Sequence, residues 1–205
     1  DFQKEVEEKF DYQFDALNLG GGFGVYYTET DSPFEMGEFL EEYIQVIERE
    51  ILKRNLKIRK VVIEPGRSII NDYVSSLYRI GSSKKTPGNV EYLFVDGGMS
   101  DNIRPALYQA KYEAYTTSKS KELLNYRVAG KLCESGDVLI EEILLPKSDS
   151  DDLLLIPSTG SYTYSMSSNY NKALRPAMVA VKNKETKLIL RRESLEDLVS
   201  LDVIE

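Results

Sequence analysis

The residues best suited to chemistry fall in short clusters. Gly20-Gly21-Gly22-Phe23-Gly24 follows the apolar run Ala16 to Leu19. Glycines after a strand let backbone N–H groups approach an anion, and such a nest suits a phosphate, although plain turns use glycines there too. The run is neither a Walker motif, lacking Gly-Lys-Ser/Thr, nor a GxGxxG fingerprint. Glu64-Pro65-Gly66-Arg67 follows Val61-Val62-Ile63. The carboxyl end of a buried strand is where α/β barrels carry their active sites. The plain alternative is a helix-entry turn stiffened by Pro65, with Arg67 exposed. Two such strand ends in one short segment point to a shared phosphate site more strongly than either does alone.

Two further clusters lie downstream. In Cys133-Glu134-Ser135-Gly136-Asp137 a lone cysteine would ordinarily be a small core residue. Its acidic neighbours place it at an edge instead and should raise the thiol pKa, favouring a neutral proton donor over a thiolate nucleophile. Gly160 to Asn171 is rich in small residues and tyrosines. Its plain reading is a polar strand with packed aromatics, which a chain with 14 tyrosines makes reasonable.

Composition removes whole classes of function. The formal net charge of -8 argues against nucleic acid, which needs a basic face. With no histidine, a Ser-His-Asp triad and a His-ligated metal site are excluded, and no metal is expected. One cysteine permits no intrachain disulfide and fits a reducing, cytoplasmic setting. No apolar run nears the ~20 residues that span a bilayer, so no membrane partner is expected. Hydrophobic residues at 41% and charged residues at 29% make a globular balance.

The elements that must position these clusters change grammar along the chain. Phe2, Val6 and Phe10 recur every four residues and predict a helix over 2–10; Phe39, Tyr43, Ile47 and Ile51 predict another over about 35–55. Val61-Val62-Ile63 is too short for a helix and reads as a strand buried on both faces. Helix, strand, helix, strand is α/β grammar. Past about Asn71 come short β-rich segments: 73–81, 90–96, 126–133, 138–144, 177–183 and 187–191, separated by turn clusters. A short closing helix follows near Leu195. The expected division is therefore 1–72, the C-terminal part of an α/β barrel, and 73–205, a mainly antiparallel β-barrel or sandwich. Two βα units cannot close a sheet, so roughly half of the protein is expected to be absent.

Taken in order, the clusters resemble the fold type III, alanine-racemase-like pyridoxal-phosphate (PLP) decarboxylases over essentially the whole chain. Asp96-Gly97-Gly98-Met99-Ser100-Asp101-Asn102-Ile103-Arg104-Pro105-Ala106-Leu107-Tyr108 resembles the diaminopimelate branch most specifically. Ornithine-type relatives differ there and typically carry Cys-Asp in place of Cys133-Glu134. The resemblance implies PLP-dependent decarboxylation of meso-2,6-diaminopimelate to L-lysine, a step of lysine biosynthesis, in a TIM-type barrel with a β domain. The Gly22 region and Glu64, Pro65, Gly66 and Arg67 would hold the PLP phosphate. Arg67, Arg104 and Tyr108 would bind substrate carboxylate. Glu134 would take the distal ammonium, with Cys133 beside it as the catalytic proton donor, and Tyr162 would touch cofactor and substrate. Cys133 and Glu134 would be donated across a homodimer interface.

Departures from the family pattern are equally informative. The family's Schiff-base lysine and the histidine that stacks on the pyridine ring both belong upstream of the glycine loop, and neither has a counterpart here. The chain is therefore expected to be inactive alone. Ser161 stands where alanine is usual. Competing readings are a related decarboxylase for a polyamine precursor or arginine, and a non-catalytic, antizyme-inhibitor-like binding protein. The second has no need of a full substrate clamp.

Overall fold

The chain divides into two compact units, Asp1–Asn71 and Asp72–Glu205. The computed structural model describes residues 1–203. In the first unit the apolar periodicities become α1 (Phe2–Phe10) and α2 (Met36–Lys53). Glu35 caps α2 by accepting from the Glu38 N–H at 2.8 Å, which satisfies one of the helix's open donors. Phe39 and Tyr43, one turn apart on α2, stack at 5.3 Å, and Phe23 meets Phe39 edge-on at 5.9 Å. β1 (Ala16–Asn18) and β2 (Lys60–Val62) pair in parallel, Leu17 opposite Val61. A single helical turn, α3 (Arg67–Ile70), follows β2.

The expectation that 61–63 is a strand buried on both faces is not met. Val61 is 42% exposed, and β1 is the only sheet neighbour of β2 among the described residues. Burial of both faces needs flanking strands and covering helices that this unit does not supply. Ile47 is the one buried hydrophobic side chain among its described residues.

The second unit is built on a six-stranded sheet with the order β5-β8-β3-β4-β6-β7. Its strands are β3 (Ser76–Lys85), β4 (Glu91–Val95), β5 (Tyr115–Thr116), β6 (Leu123–Ala129), β7 (Val138–Pro146) and β8 (Leu153–Ile156). Neighbours are antiparallel except β4 and β6, which run parallel with Leu93 opposite Val128. Period-two alternation sends Tyr78 and Ile80, Leu93 and Val95, Tyr126 and Val128, and Leu154 and Ile156 into one core. Near the two edges, Thr116 Oγ1 lies 3.0 Å from Ser148 Oγ and Ser118 Oγ donates to the Lys147 carbonyl at 2.5 Å, so the sheet nearly closes. A separate hairpin, β9 (Met178–Lys182) and β10 (Glu185–Leu190), turns at Asn183 and Lys184, both at positive φ as a tight primed turn requires. The chain's short helix α4 (Arg104–Tyr108) follows β4, and α5 (Leu195–Leu198) closes with a capping box between Ser194 and Asp197.

Three sequence expectations need correction. The strand expected at 126–133 is Leu123–Ala129, because after Ala129 the Gly130 and Lys131 N–H groups turn to the carbonyls of Asp137 and Gly97. Leu153–Ile156 is an unexpected central-sheet strand; four apolar residues behind an acidic turn carry no readable period. The plain reading of Gly160 to Asn171 as a strand also fails. Two 3₁₀ turns, Tyr164–Met166 and Tyr170–Lys172, lie there instead, held by local hydroxyl-to-carbonyl bonds such as Ser167 Oγ to Tyr164 at 2.6 Å.

Candidate active site

In the first unit the two strand ends are laced together. The Leu19 N–H donates to the Val62 carbonyl at 3.0 Å, and the Glu64 N–H donates to Gly20 at 2.7 Å. Asn18 bridges both loops, its Nδ2 donating to Glu64 Oε1 at 2.6 Å and its Oδ1 accepting from the Gly20 N–H at 2.9 Å. Gly20 and Gly22 sit at φ +71° and +89°, a region that side chains other than glycine strain to enter. A Cβ on Gly21 would run into the Glu64 carbonyl, whereas at Gly22 there is open space. The glycine loop is therefore required by its geometry and leaves an unobstructed stretch of backbone. Arg67 adds a cation whose guanidinium lies 5.8 Å from the centre of the Tyr27 ring. Backbone open to close approach fits a phosphate; Glu64, Pro65 and Gly66 form the turn that delivers Arg67 into α3.

The second unit carries the other candidates. Arg104 opens α4 and is only 7% exposed, with its guanidinium 5.9 Å from the centre of the Tyr162 ring. The buried Asn102 accepts from the Arg104 N–H at 3.2 Å and so fixes where the helix begins. Tyr108 lies one turn further along the same face and is exposed. Tyr162 is itself at φ +60°, half exposed, between the buried Ser161 and Thr163; the Thr163 hydroxyl donates to the Thr159 carbonyl. A left-handed tyrosine in a segment so fastened is a backbone conformation that the surroundings impose.

Cys133 is exposed in the loop between β6 and β7. Asp137 does not share that edge, contrary to the sequence reading. It is 3% exposed and accepts from the N–H groups of Met99 at 2.6 Å and Leu132 at 2.8 Å. Gly98 and Gly130 leave the room it occupies, since a Cβ on either would strike the carboxylate. Asp137 thus ties the loop leading to Arg104 to the loop leading to Cys133 and Glu134. Glu134 accepts from the Gly136 N–H at 3.2 Å and from the Tyr170 hydroxyl at 2.9 Å. These bonds, the Gly136 N–H foremost, hold its carboxyl below the usual carboxylate range, so it is an anion at neutral pH. Among the described residues no cluster of His, Cys, Asp or Glu could hold a metal, and no helix is long and apolar enough to cross a membrane.

Sequence comparison fits this pair of units. Residues 2–71 match the pyridoxal binding domain of the pyridoxal-dependent decarboxylases, and residues 69–160 match the C-terminal sheet domain of the same family. The chain belongs to the pyridoxal-dependent decarboxylases. It is 48% identical over 206 residues to the diaminopimelate decarboxylase of Bacillus subtilis (strain 168), covering 98% of this chain and 47% of that protein. With the Bacillus methanolicus diaminopimelate decarboxylase it shares 47% identity over 94% of the chain and 45% of that protein. The chain therefore spans about half the length of the curated relatives it matches. The crystal structure of diaminopimelate decarboxylase from M. jannaschii with L-lysine superposes with a TM-score of 0.91 at 30% identity, over 100% of this chain and 46% of that one. The decarboxylase fold accounts for both units: βα units of the PLP-binding barrel, then a mainly antiparallel sheet domain.

Sequence reasoning assigned no role to Asn18, Asn102 or Tyr170, although Asn102 and Tyr170 lie inside clusters that it singled out. Each acts through a partner distant in sequence or through a backbone turn, and no local motif announces such a contact.

Proposed function

We propose that this decarboxylase acts on meso-2,6-diaminopimelate, releasing CO2 and forming L-lysine, with pyridoxal 5'-phosphate as cofactor. The observation that carries the reading is 48% identity, over almost the whole chain, to a protein named for that activity. The side-chain chemistry supports it. Diaminopimelate ends in a second amino-acid head, so its recognition needs a cation for the distal carboxylate and an anion for the distal ammonium. Arg104 and the ionised Glu134 supply the two charges, and an arginine grips a carboxylate through parallel hydrogen bonds.

When bound, PLP supplies an electron sink for the pair left as the α-carboxylate departs. The backbone around Gly22 and the Arg67 guanidinium bind its phosphate. A carboxyl side chain such as Glu64 would suit a hydrogen-bond donor of the cofactor better than its phosphate, and Asn18 fixes it from one side. Pro65 and Gly66 set the turn. Tyr162 presents an aromatic face to cofactor and substrate, Tyr108 and Arg67 add contacts to substrate carboxylate, and Cys133 Sγ–H delivers the proton that replaces CO2. The exposure of Cys133 supports its serving the site of a second copy in a homodimer.

The test is an assay of the full-length protein with PLP, following CO2 and product from meso-diaminopimelate, ornithine and arginine. Lysine from diaminopimelate, with little turnover of the other two, is the expected result. Preferential turnover of ornithine or arginine would replace this reading with the polyamine-type one, and no turnover of any substrate with a binding partner that needs this chain would favour the non-catalytic one.

A further inference from the structure

Tyr170 lies in the Gly160 to Asn171 cluster but has no role assigned by it, and its hydroxyl donates to Glu134 Oε2 at 2.9 Å across 36 positions of sequence. The turn that carries it is fastened at both ends. Asn169 Nδ2 donates to the Ala173 carbonyl at 3.0 Å and to Glu193 Oε2 at 2.5 Å, and the Arg175 N–H donates to the same Glu193 oxygen at 2.9 Å. Upstream, the Ser168 N–H donates to the Ser100 carbonyl at 2.9 Å, in the loop that leads to Arg104. Within the turn, Asn171 and Lys172 take left-handed φ values of 53° and 56°, so the chain reverses there sharply. A turn braced by Asn169, Glu193 and Ser100 is a defined mount for one hydroxyl.

Glu134 makes use of that mount. Its other oxygen, Oε1, is tied to the Gly136 N–H and to Ser135 Oγ at 3.2 and 3.3 Å, all within its own loop. Oε2 is held from outside that loop, by Tyr170. Two fixed points, one on each oxygen, set the orientation of the carboxylate plane, which the local bonds alone leave free to swing about Cγ–Cδ. A neutral phenol also serves better than a lysine would: it orients the anion without cancelling the charge that must attract an ammonium.

We propose that Tyr170 is a positioning residue for substrate specificity, orienting the Glu134 carboxylate for the distal ammonium of the substrate. The role rests on the proposed function through Glu134, and a regulator or a purely structural tyrosine would have no such substrate dependence. The pull of the phenol on the carboxylate also keeps Glu134 ionised to lower pH, while the anion in turn pushes the Tyr170 hydroxyl up.

The experiment compares Tyr170→Phe and Glu134→Gln in the full-length holoenzyme on meso-diaminopimelate and on 2-aminopimelate, which lacks the distal amino group. Tyr170→Phe should raise KM for diaminopimelate about fivefold, the scale of one ordinary hydrogen bond, since this one is exposed to solvent. For 2-aminopimelate KM should stay within about twofold, since no ammonium is there to be met. In the same variant the acid limb of kcat/KM should move to higher pH. Equal losses on both substrates, or an unmoved acid limb, would overturn the role for Tyr170. If Glu134→Gln itself fails to distinguish the two substrates, the assignment of Glu134 fails instead. A carbon-13 titration of the Glu134 carboxyl, assigned with Glu134→Gln, decides the contact without any turnover: the same midpoint with and without the Tyr170 hydroxyl would refute the proposal even in an inactive protein.

Discussion

Arg104 is nearly buried against an aromatic ring at the start of a five-residue helix, a costly place for a cation that has only a structural task. In the full-length enzyme Arg104→Ala should lower kcat/KM for diaminopimelate by roughly 2–4 kcal/mol, the scale of a truncated buried charge pair. A substrate without the distal carboxylate should suffer far less. Equal losses on both, accompanied by a lower Tm, would make Arg104 a brace. Cys133→Ala acts at another step: kcat should fall, or reprotonation go astray, with KM little changed, which single-turnover measurements in D2O can read out. Asp101 offers a pH test. Burial pushes its carboxyl above the ordinary aspartate range, outweighing the pull of the Gly98 N–H. With the folded value raised above the unfolded one, the stability it contributes is present at acid pH and lost as pH rises through the raised value. Asp101→Asn keeps an oxygen for the Gly98 N–H and removes that loss. Its Tm at pH 7 should match or exceed that of the parent, with a flatter profile toward acid pH; a clear drop in Tm at pH 7 would show that the charge is needed.

At the scale of elements, the decisive object is the join between the β4–α4 loop and the β6–β7 loop. Asp137 holds both by accepting the Met99 and Leu132 N–H groups, and Gly98 and Gly130 make room for it. Asp137→Ala leaves buried donors without an acceptor and should destabilise the sheet domain by about 2–4 kcal/mol. Asp137→Asn can satisfy at most one of them and should fall between the two. Urea unfolding of the three proteins checks the order; an alanine variant as stable as the parent would mean that water replaces the carboxylate at no cost. Gly98→Ala should behave like Asp137→Ala, because the methyl group would displace the same carboxylate.

Across the molecule the two units differ in what holds them. Tyr78, Ile80, Leu93, Tyr126, Val128, Leu154 and Ile156 are buried within one sheet domain, whereas the first unit buries Ile47 and leaves Phe2, Phe34 and Ile69 at 73%, 78% and 60% exposed. Amide exchange on this 205-residue chain should therefore show the slowest protons in β3, β4, β6 and β8, with β1 and β2 exchanging orders of magnitude faster. Uniform protection in both units would contradict this. The exposed apolar surface and the two-stranded sheet should also drive self-association, visible by light scattering as a mass above that of one chain. A stable monomer at high concentration would count against it.

The helices of the first unit and most strands of the second were legible in the chain itself, since helical and alternating periodicities follow from which face must leave water. The change from α/β to β grammar near Asn71 was legible for the same reason; the glycine loop and Glu64 to Arg67 stood out as residue types suited to an anion, whereas Arg104 and Glu134 were singled out by the resemblance to a family and not by local chemistry. Tertiary structure alone decided the rest. Only when the chain is folded does Asp137 prove to be a buried acceptor and not an edge charge, Leu153–Ile156 a central strand, and Tyr170 the neighbour of Glu134. Each depends on a partner many residues away. Periodicity reports which side of an element faces the core, but it carries no information about which distant side chain arrives to meet it.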